Sequence, residues 1–270
     1  MTITKVYLNK TTTLGDSMFS PANAKIKALA QVPQLARWVA AKRKIYSFDL
    51  LSGWSCPFAK DCLSKVHMIN GKRKLKDGPQ TLFRCFSASQ EATFTGVFNK
   101  RKSNWDKIRA CKSTAEMVEL IEEHMPANLG ICRIHVAGDF FNQMYFDAWT
   151  EVAANHTDRL FYAYTKSLNF WLNRWDWYVG QGNMIMTASR GGRLDHLIDS
   201  EGLREAIVVY SPEQAANLGL EIDHTDEHAA IPEQWDKSFA LLIHGAQPAG
   251  SEASEAIKQL KQRKVKFAYS

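Results

Sequence analysis

Cys56 and Cys62, in Ser55-Cys56-Pro57-Phe58-Ala59-Lys60-Asp61-Cys62, and Cys85, in Phe83-Arg84-Cys85-Phe86-Ser87, have the residue type and grouping to hold an inorganic centre. Three thiolates can carry a [4Fe-4S] cluster and leave its fourth iron open to a further ligand. Structural zinc sites use pairs of ligands two to four residues apart. Here five residues separate the first two cysteines and 22 separate the second from the third. That spacing favours a cluster over zinc, although His67 would complete a Cys3His zinc set and three plain structural thiols are a further reading. Trp54, Phe58, Phe83 and Phe86 stand beside the cysteines and would shield a cluster from water.

The remaining cysteines differ. Cys132 lies in the apolar run Ile131-Cys132-Arg133-Ile134 and reads as a packed thiol, and Cys111 sits in a basic segment without ligand-like neighbours. Five cysteines cannot all pair with one another, and in a cytosolic protein metal ligation or free thiols are the better readings.

The elements that must position the three thiols follow from pattern. Lys44 to Leu51 reads as a buried strand that delivers the chain to Cys56. Asn70-Gly71 predicts a tight turn between short strands at Val66 to Ile69 and Arg73 to Leu75. Asp77-Gly78-Pro79 predicts another turn, and Cys85 to Phe94 a helix, so the hairpin returns Cys85 to the side of Cys62.

From Ser113 the rhythm becomes helix and strand in alternation. Ser113 with Glu116 forms a capping box, Asn142 caps a helix carrying Tyr145, Phe146 and Trp149, and Ser211-Pro212 and Ser251 open two more. Strands are predicted at Ile131 to Val136, Leu160 to Tyr164, Asn183 to Ala188, Ala206 to Tyr210 and Phe239 to Ile243, with short ones at Val6 to Leu8 and Val265 to Tyr269. Val32 to Lys42 reads as a helix. The fold class is α/β, with parallel-sheet βα repeats in one domain over residues 1–270. The sheet is expected as a partial or complete barrel or an open doubly wound sheet, with an N-terminal extension at 1–43 and a cysteine-bearing insertion at 52–112. The loops at strand C-termini would gather His135, Asp139, Lys166, Arg190 and His244 near the open side of the cluster.

The net charge is +6, but Lys60 to Lys112 holds thirteen Lys and Arg against four Asp and Glu. This basic region could attract a nucleic acid or an anionic cofactor, with Lys72-Arg73-Lys74, Lys76 and Lys100-Arg101-Lys102 beside Trp105 as its handles. No apolar run approaches a membrane span, and Met1 to Lys5 lacks an apolar secretory core, so no membrane partner and a cytoplasmic location are expected.

Ser52 to Cys62, Asp77-Gly78-Pro79, Arg84 to Ser89, Arg133 to Phe141 and Phe161 to Ser167 together resemble the bacteriophage gene product 88 family, over about residues 44–245. The resemblance implies a virally encoded iron–sulfur protein acting in the cytoplasm of the bacterial host. The architecture also resembles radical S-adenosylmethionine enzymes, whose cluster cysteines follow the first barrel strand, at closer spacing than here. That likeness implies a redox or radical-type enzyme, S-adenosylmethionine as a cofactor, and Gly138-Asp139 as the turn that meets its methionine end.

Overall fold

A computed structural model describes residues 17–180 and 182–265. The strands expected at Val6 to Leu8 and beyond Val265 lie outside these residues. The strands are β1 (Phe19–Pro21), β2 (Lys44–Phe48), β3 (Ser64–Ile69), β4 (Lys72–Asp77), β5 (Leu129–Ile134), β6 (Leu160–Thr165), β7 (Met184–Ser189), β8 (Glu205–Val209) and β9 (Phe239–Leu242). Seven of them form one sheet in the order β1-β2-β5-β6-β7-β8-β9, and β3 pairs with β4 in a separate ribbon. Every pairing from β2 to β9 is parallel, while β1 runs antiparallel at one edge.

Two expectations are corrected here. The sheet does not close, because β1 and β9 end it without pairing among the described residues. Nor is it doubly wound, since its parallel strands follow chain order and never reverse direction of growth.

Side-chain alternation along the strands explains the layers. Phe48, Cys132, Ile134, Phe161, Ala163, Met184 and Met186 point to one face, where Trp149, Ile121, Ile108 and Trp171 from the crossover helices cover them. Ile45, Ile131, Leu160, Tyr162 and Ile185 point to the other face, covered by Ile26, Leu29, Leu35 and Trp38 of the N-terminal segment and by Ala229 to Ile231. Residues 24–39 therefore pack as a lid on the sheet, and the stretch read as one longer helix, Val32 to Lys42, holds a 3-10 turn at Pro33–Leu35 followed by a single α-helical turn at Ala36–Val39.

A 16-residue helix, Thr95–Ala110, was not legible. Its inward stripe of Phe98, Arg101, Asn104, Trp105 and Ile108 includes two polar residues, which interrupt the apolar period. The expected caps are present: Ser113, Asn142, Ser211 and Ser251 each accept a backbone N–H three residues on. The Glu116 carboxylate reaches back to the N–H of Lys112 at 2.8 Å. Asn70 and Gly71 both have positive φ (50° and 72°), the backbone of a two-residue hairpin turn.

Candidate metal centre at the strand C-termini

Parallel strands put every following loop at one end of the sheet, and hydrogen bonds stitch these loops into a ring. The Ser55 hydroxyl accepts the N–H of Asp139 at 3.3 Å, joining the loop after β2 to the loop after β5. Gly138 has φ +94°, and a Cβ there would meet Ser55 Oγ at 2.6 Å, so only glycine fits the junction. The Asp139 carboxylate accepts from Thr165 Oγ1 at 2.6 Å and from the N–H of Lys166 at 2.8 Å, reaching the end of β6. Lys166 Nζ donates to Ser189 O, Ser189 Oγ and Arg190 O, each at 2.8 Å, reaching the end of β7. The N–H groups of Asp61 and Arg193 close the ring, donating to Gly191 O at 3.0 Å and Phe58 O at 2.8 Å.

The cysteines sit on this ring. Cys56 Sγ accepts the N–H of Gly53 at 3.4 Å. Cys62 and Cys85 meet at Ser64, whose hydroxyl lies 3.4 Å from Cys62 O and takes the N–H of Cys85 at 3.2 Å. Asp61 O accepts from both Leu82 and Phe83, at 2.8 and 3.1 Å, which pins the approach to Cys85. Cys85 is the N-cap of helix Phe86–Thr93, and the N–H groups of Ser87 and Ala88 favour its thiolate. On the far side Gln247 clasps Arg84, accepting its N–H at 2.6 Å and donating to its carbonyl at 3.1 Å.

The three sulfurs share one electrostatic environment. Each residue keeps some surface exposure, but its sulfur is sunk deeply enough for burial to raise the thiol pKa. After burial, the charges of Asp139, Cys85 and Cys62 raise Cys56 further. Cys85 is pushed up to about 11, by burial first and Cys62 second. Burial raises Cys62 too, and the Lys166 ammonium opposes that rise. Among the described residues, no three Cys, His, Asp or Glu lie close enough to grip a single ion. Around one zinc ion the sulfurs would stand ~3.8 Å apart, from a Zn–S bond of ~2.3 Å in tetrahedral geometry. A cluster sets each thiolate on its own iron, which leaves the sulfurs farther apart. What the structure shows is three thiols near enough for their charges to act on one another.

The five residues expected at the open side divide. Asp139 and Lys166 lie within electrostatic reach of the thiols, yet their polar atoms are already engaged by the ring. Burial raises the Asp139 pKa to about 6 against the pull of those donors. The Arg190 side chain turns away to Glu205 and Asp199, leaving only its carbonyl on the ring. His135 is core: buried, with φ +71°, its Nε2 2.9 Å from Tyr145 Oη, and held neutral by burial and the Arg133 charge with a pKa of about 3. His244 packs on Phe86, ring centroids 4.6 Å apart, beside the third cysteine. His67 lies against Trp54 at 5.1 Å on the ribbon.

Three participants carried no sequence signal. Ser64 is one. Glu91, fully buried, accepts from Ser52 N–H and Ser52 Oγ at 3.0 and 2.7 Å and pairs with Arg101 at 3.2 Å, anchoring the start of the Cys56 loop. Asp226 binds Lys25 at 2.7 Å and Arg133 on the opposite face of the sheet. These pairs are separated by ten to about two hundred residues, and no local pattern encodes such contacts.

Comparison with known proteins gives two matches. The model of the family described as "Gene product 88" matches residues 16–265. The "Gene 88 protein" of Mycobacterium phage D29 is 28% identical over 123 residues, 42% of this chain and 43% of that protein. The chain thus spans less than half the length of that relative. No solved structure matches the chain.

Proposed function

We propose that this chain, which belongs to the phage-associated Gene product 88 family, holds a [4Fe-4S] cluster on Cys56, Cys62 and Cys85 and presents its fourth iron to a small molecule. The observation that carries this reading is that the loop bearing Cys56 and Cys62 belongs to the hydrogen-bonded ring, and that Ser64, two residues after Cys62, accepts the N–H of Cys85. When bound, the cluster would supply one-electron redox chemistry at an iron with an open coordination position.

The chain's own residues set the conditions. The Gly53, Ser87 and Ala88 N–H groups favour thiolate over thiol, and the Lys166 ammonium does the same for Cys62. Phe58 against Phe170 at 5.7 Å and Phe86 against His244 wall the centre with rings, which limits water. Asp139 and Lys166 act as struts, so neither is offered as the ligand of the open iron. S-adenosylmethionine is the proposed ligand on architecture alone: an open sheet of parallel strands in chain order, with the cysteine loop after the first of them. The Asp139 carboxylate, expected to meet its amine, is occupied by Thr165 and Lys166, so Asp139 lends that ligand no support.

No helix among the described residues is long and apolar enough to cross a membrane. The proposed place of action is the host cytoplasm. Anaerobic purification with iron and sulfide reconstitution tests the centre. The expected result is a brown protein with about four irons per chain, lost in Cys56→Ser, Cys62→Ser and Cys85→Ser and kept in Cys111→Ser and Cys132→Ser. A colourless protein containing stoichiometric zinc would overturn it. A spectral change on adding S-adenosylmethionine supports that ligand, and an unchanged spectrum removes it.

A further inference from the structure

The register of the β3–β4 ribbon sorts its side chains onto two faces. Ser64 opposes Asp77, Val66 opposes Leu75 and Met68 opposes Arg73, and these lie on the face turned to the body. Val66 is buried, and Arg73 Nε donates to Ala92 O at 3.2 Å. The outward face then pairs Lys65 with Lys76, His67 with Lys74 and Ile69 with Lys72. Like charges directly opposite one another destabilise a two-stranded ribbon. Among the described residues no carboxylate forms an ion pair with Lys65, Lys72, Lys74 or Lys76.

Elsewhere in the basic segment four cations meet carboxylates. Lys60 meets Asp61 at 3.5 Å, Arg84 meets Asp77 at 2.6 Å, Arg101 meets Glu91 at 3.2 Å and Lys102 meets Asp106 at 2.5 Å. Trp105 is buried against Phe141, so the helix Thr95–Ala110 does not offer the basic and aromatic surface expected of it. Lys107 and Lys112 on and after that helix also form no ion pair among the described residues, but the ribbon face sets four such lysines side by side on two paired strands.

That face also carries an aromatic platform. Trp54, from the Cys56 loop, is 42% exposed and fixed by Nε1 donating to Val66 O at 3.0 Å. His67 lies 5.1 Å from its ring and Lys65 Nζ 4.9 Å from its centroid. Lys72, Lys74 and Lys76 alternate along β4, so they recur every ~6.8 Å. A repeating row of cations beside a stacking surface matches a repeating polyanion with flat bases. The ribbon tip exposes Met68 and Ile69, two apolar residues, so an anionic lipid surface is the rival that vesicle binding separates; the row of cations along β4 beside Trp54 favours the nucleic acid.

We propose that the outward face of the β3–β4 ribbon binds single-stranded nucleic acid, with Lys65, Lys72, Lys74 and Lys76 on phosphates and Trp54 with His67 under a base. The proposal does not rest on what the cysteines hold.

The test is fluorescence anisotropy of the full chain with a labelled oligothymidylate of ~16 nucleotides, over a range of salt. Two double variants carry the same charge change: Lys72→Glu/Lys74→Glu on the ribbon and Lys258→Glu/Lys261→Glu on the helix Glu252–Gln262. The expected result is wild-type binding that weakens with salt, a slope reduced by about 1.4 in the ribbon variant, and little change in the helix variant. Trp54→Leu should weaken binding about tenfold, with Trp54→Phe restoring most of it. Circular dichroism and thermal melting identify folded variants. Absence of oligonucleotide binding, equal loss in both double variants, or binding only to anionic phosphatidylserine vesicles overturns the proposal.

Discussion

The main-chain N–H of Cys85 donates to the hydroxyl of Ser64 across 3.2 Å. Twenty residues of hairpin and turn lie between the two, yet this bond brings the backbone of the third cysteine to Ser64, two residues after the second. The hydroxyl proton goes to the Asp77 carboxylate at 2.9 Å, and Asp77 is held in turn by Arg84. The ribbon is therefore a clasp whose base ties the backbone of Cys85 to the strand that follows Cys62.

Ser64→Ala removes that acceptor and leaves the Cys85 N–H without it. The expected cost is about 1–2 kcal/mol, measured by denaturant unfolding. Incorporation of iron should fall more steeply than stability does. Equal iron content in the variant and the parent would argue against the clasp.

Glu91→Ala should cost about 3–5 kcal/mol, because it leaves the buried Arg101 guanidinium without its carboxylate and Ser52 without its acceptor. The loop carrying Cys56 starts at Ser52, so limited proteolysis near Gly53 should accelerate in this variant.

Asp226 contributes acid sensitivity. Burial alone would raise its pKa, but Arg133 and Lys25 outweigh burial and hold it at about 2. An unfolded Asp titrates near ~3.9. The stabilisation is fully present above that value and is lost as pH falls towards 2, amounting to about 2.6 kcal/mol. In Asp226→Asn this part of the pH profile should flatten, with a loss of about 3 kcal/mol or more at neutral pH from two buried cations deprived of their carboxylate. Unfolding free energies from pH 2 to 7 check both.

Metal loading should strengthen as pH rises. The three thiols have pKa values raised by burial, so each is protonated at neutral pH and must lose its proton to bind metal. Lys166→Met removes the cation that opposes the rise at Cys62, so its loading curve should move to higher pH. The pH dependence of iron uptake, followed by absorbance, decides this. A curve unchanged by the substitution would remove Lys166 from the electrostatics of the centre.

Local rules read much of the frame correctly. Asn70-Gly71 announced the hairpin because both residues tolerate positive φ. Ser113, Asn142, Ser211 and Ser251 announced helix starts because a short side-chain oxygen must satisfy an N–H three residues on. The alternation of apolar strands and helices announced parallel pairing. The helix Thr95–Ala110 escaped because Arg101 and Asn104 face inward, one to meet Glu91 and the other to cap Met18 O and Asp49 O.

By itself the sequence determined where most strands lie along the chain, the parallel sense of the sheet and the gathering of its loops at one end, since these follow from short-range periodicity and the need for crossovers; their order across the sheet did not follow from it. Only the tertiary structure decided whether the sheet closes and which charges remain for a ligand. Arg101 and Lys102 read like Lys72 and Lys74 in the chain, but they meet Glu91 and Asp106 while the ribbon lysines meet no acid among the described residues. Asp139 and Lys166 likewise became struts because Thr165, Ser189 and Arg190 lie beside them in space. Pairing of polar groups depends on distance, and distance between remote residues is set by packing.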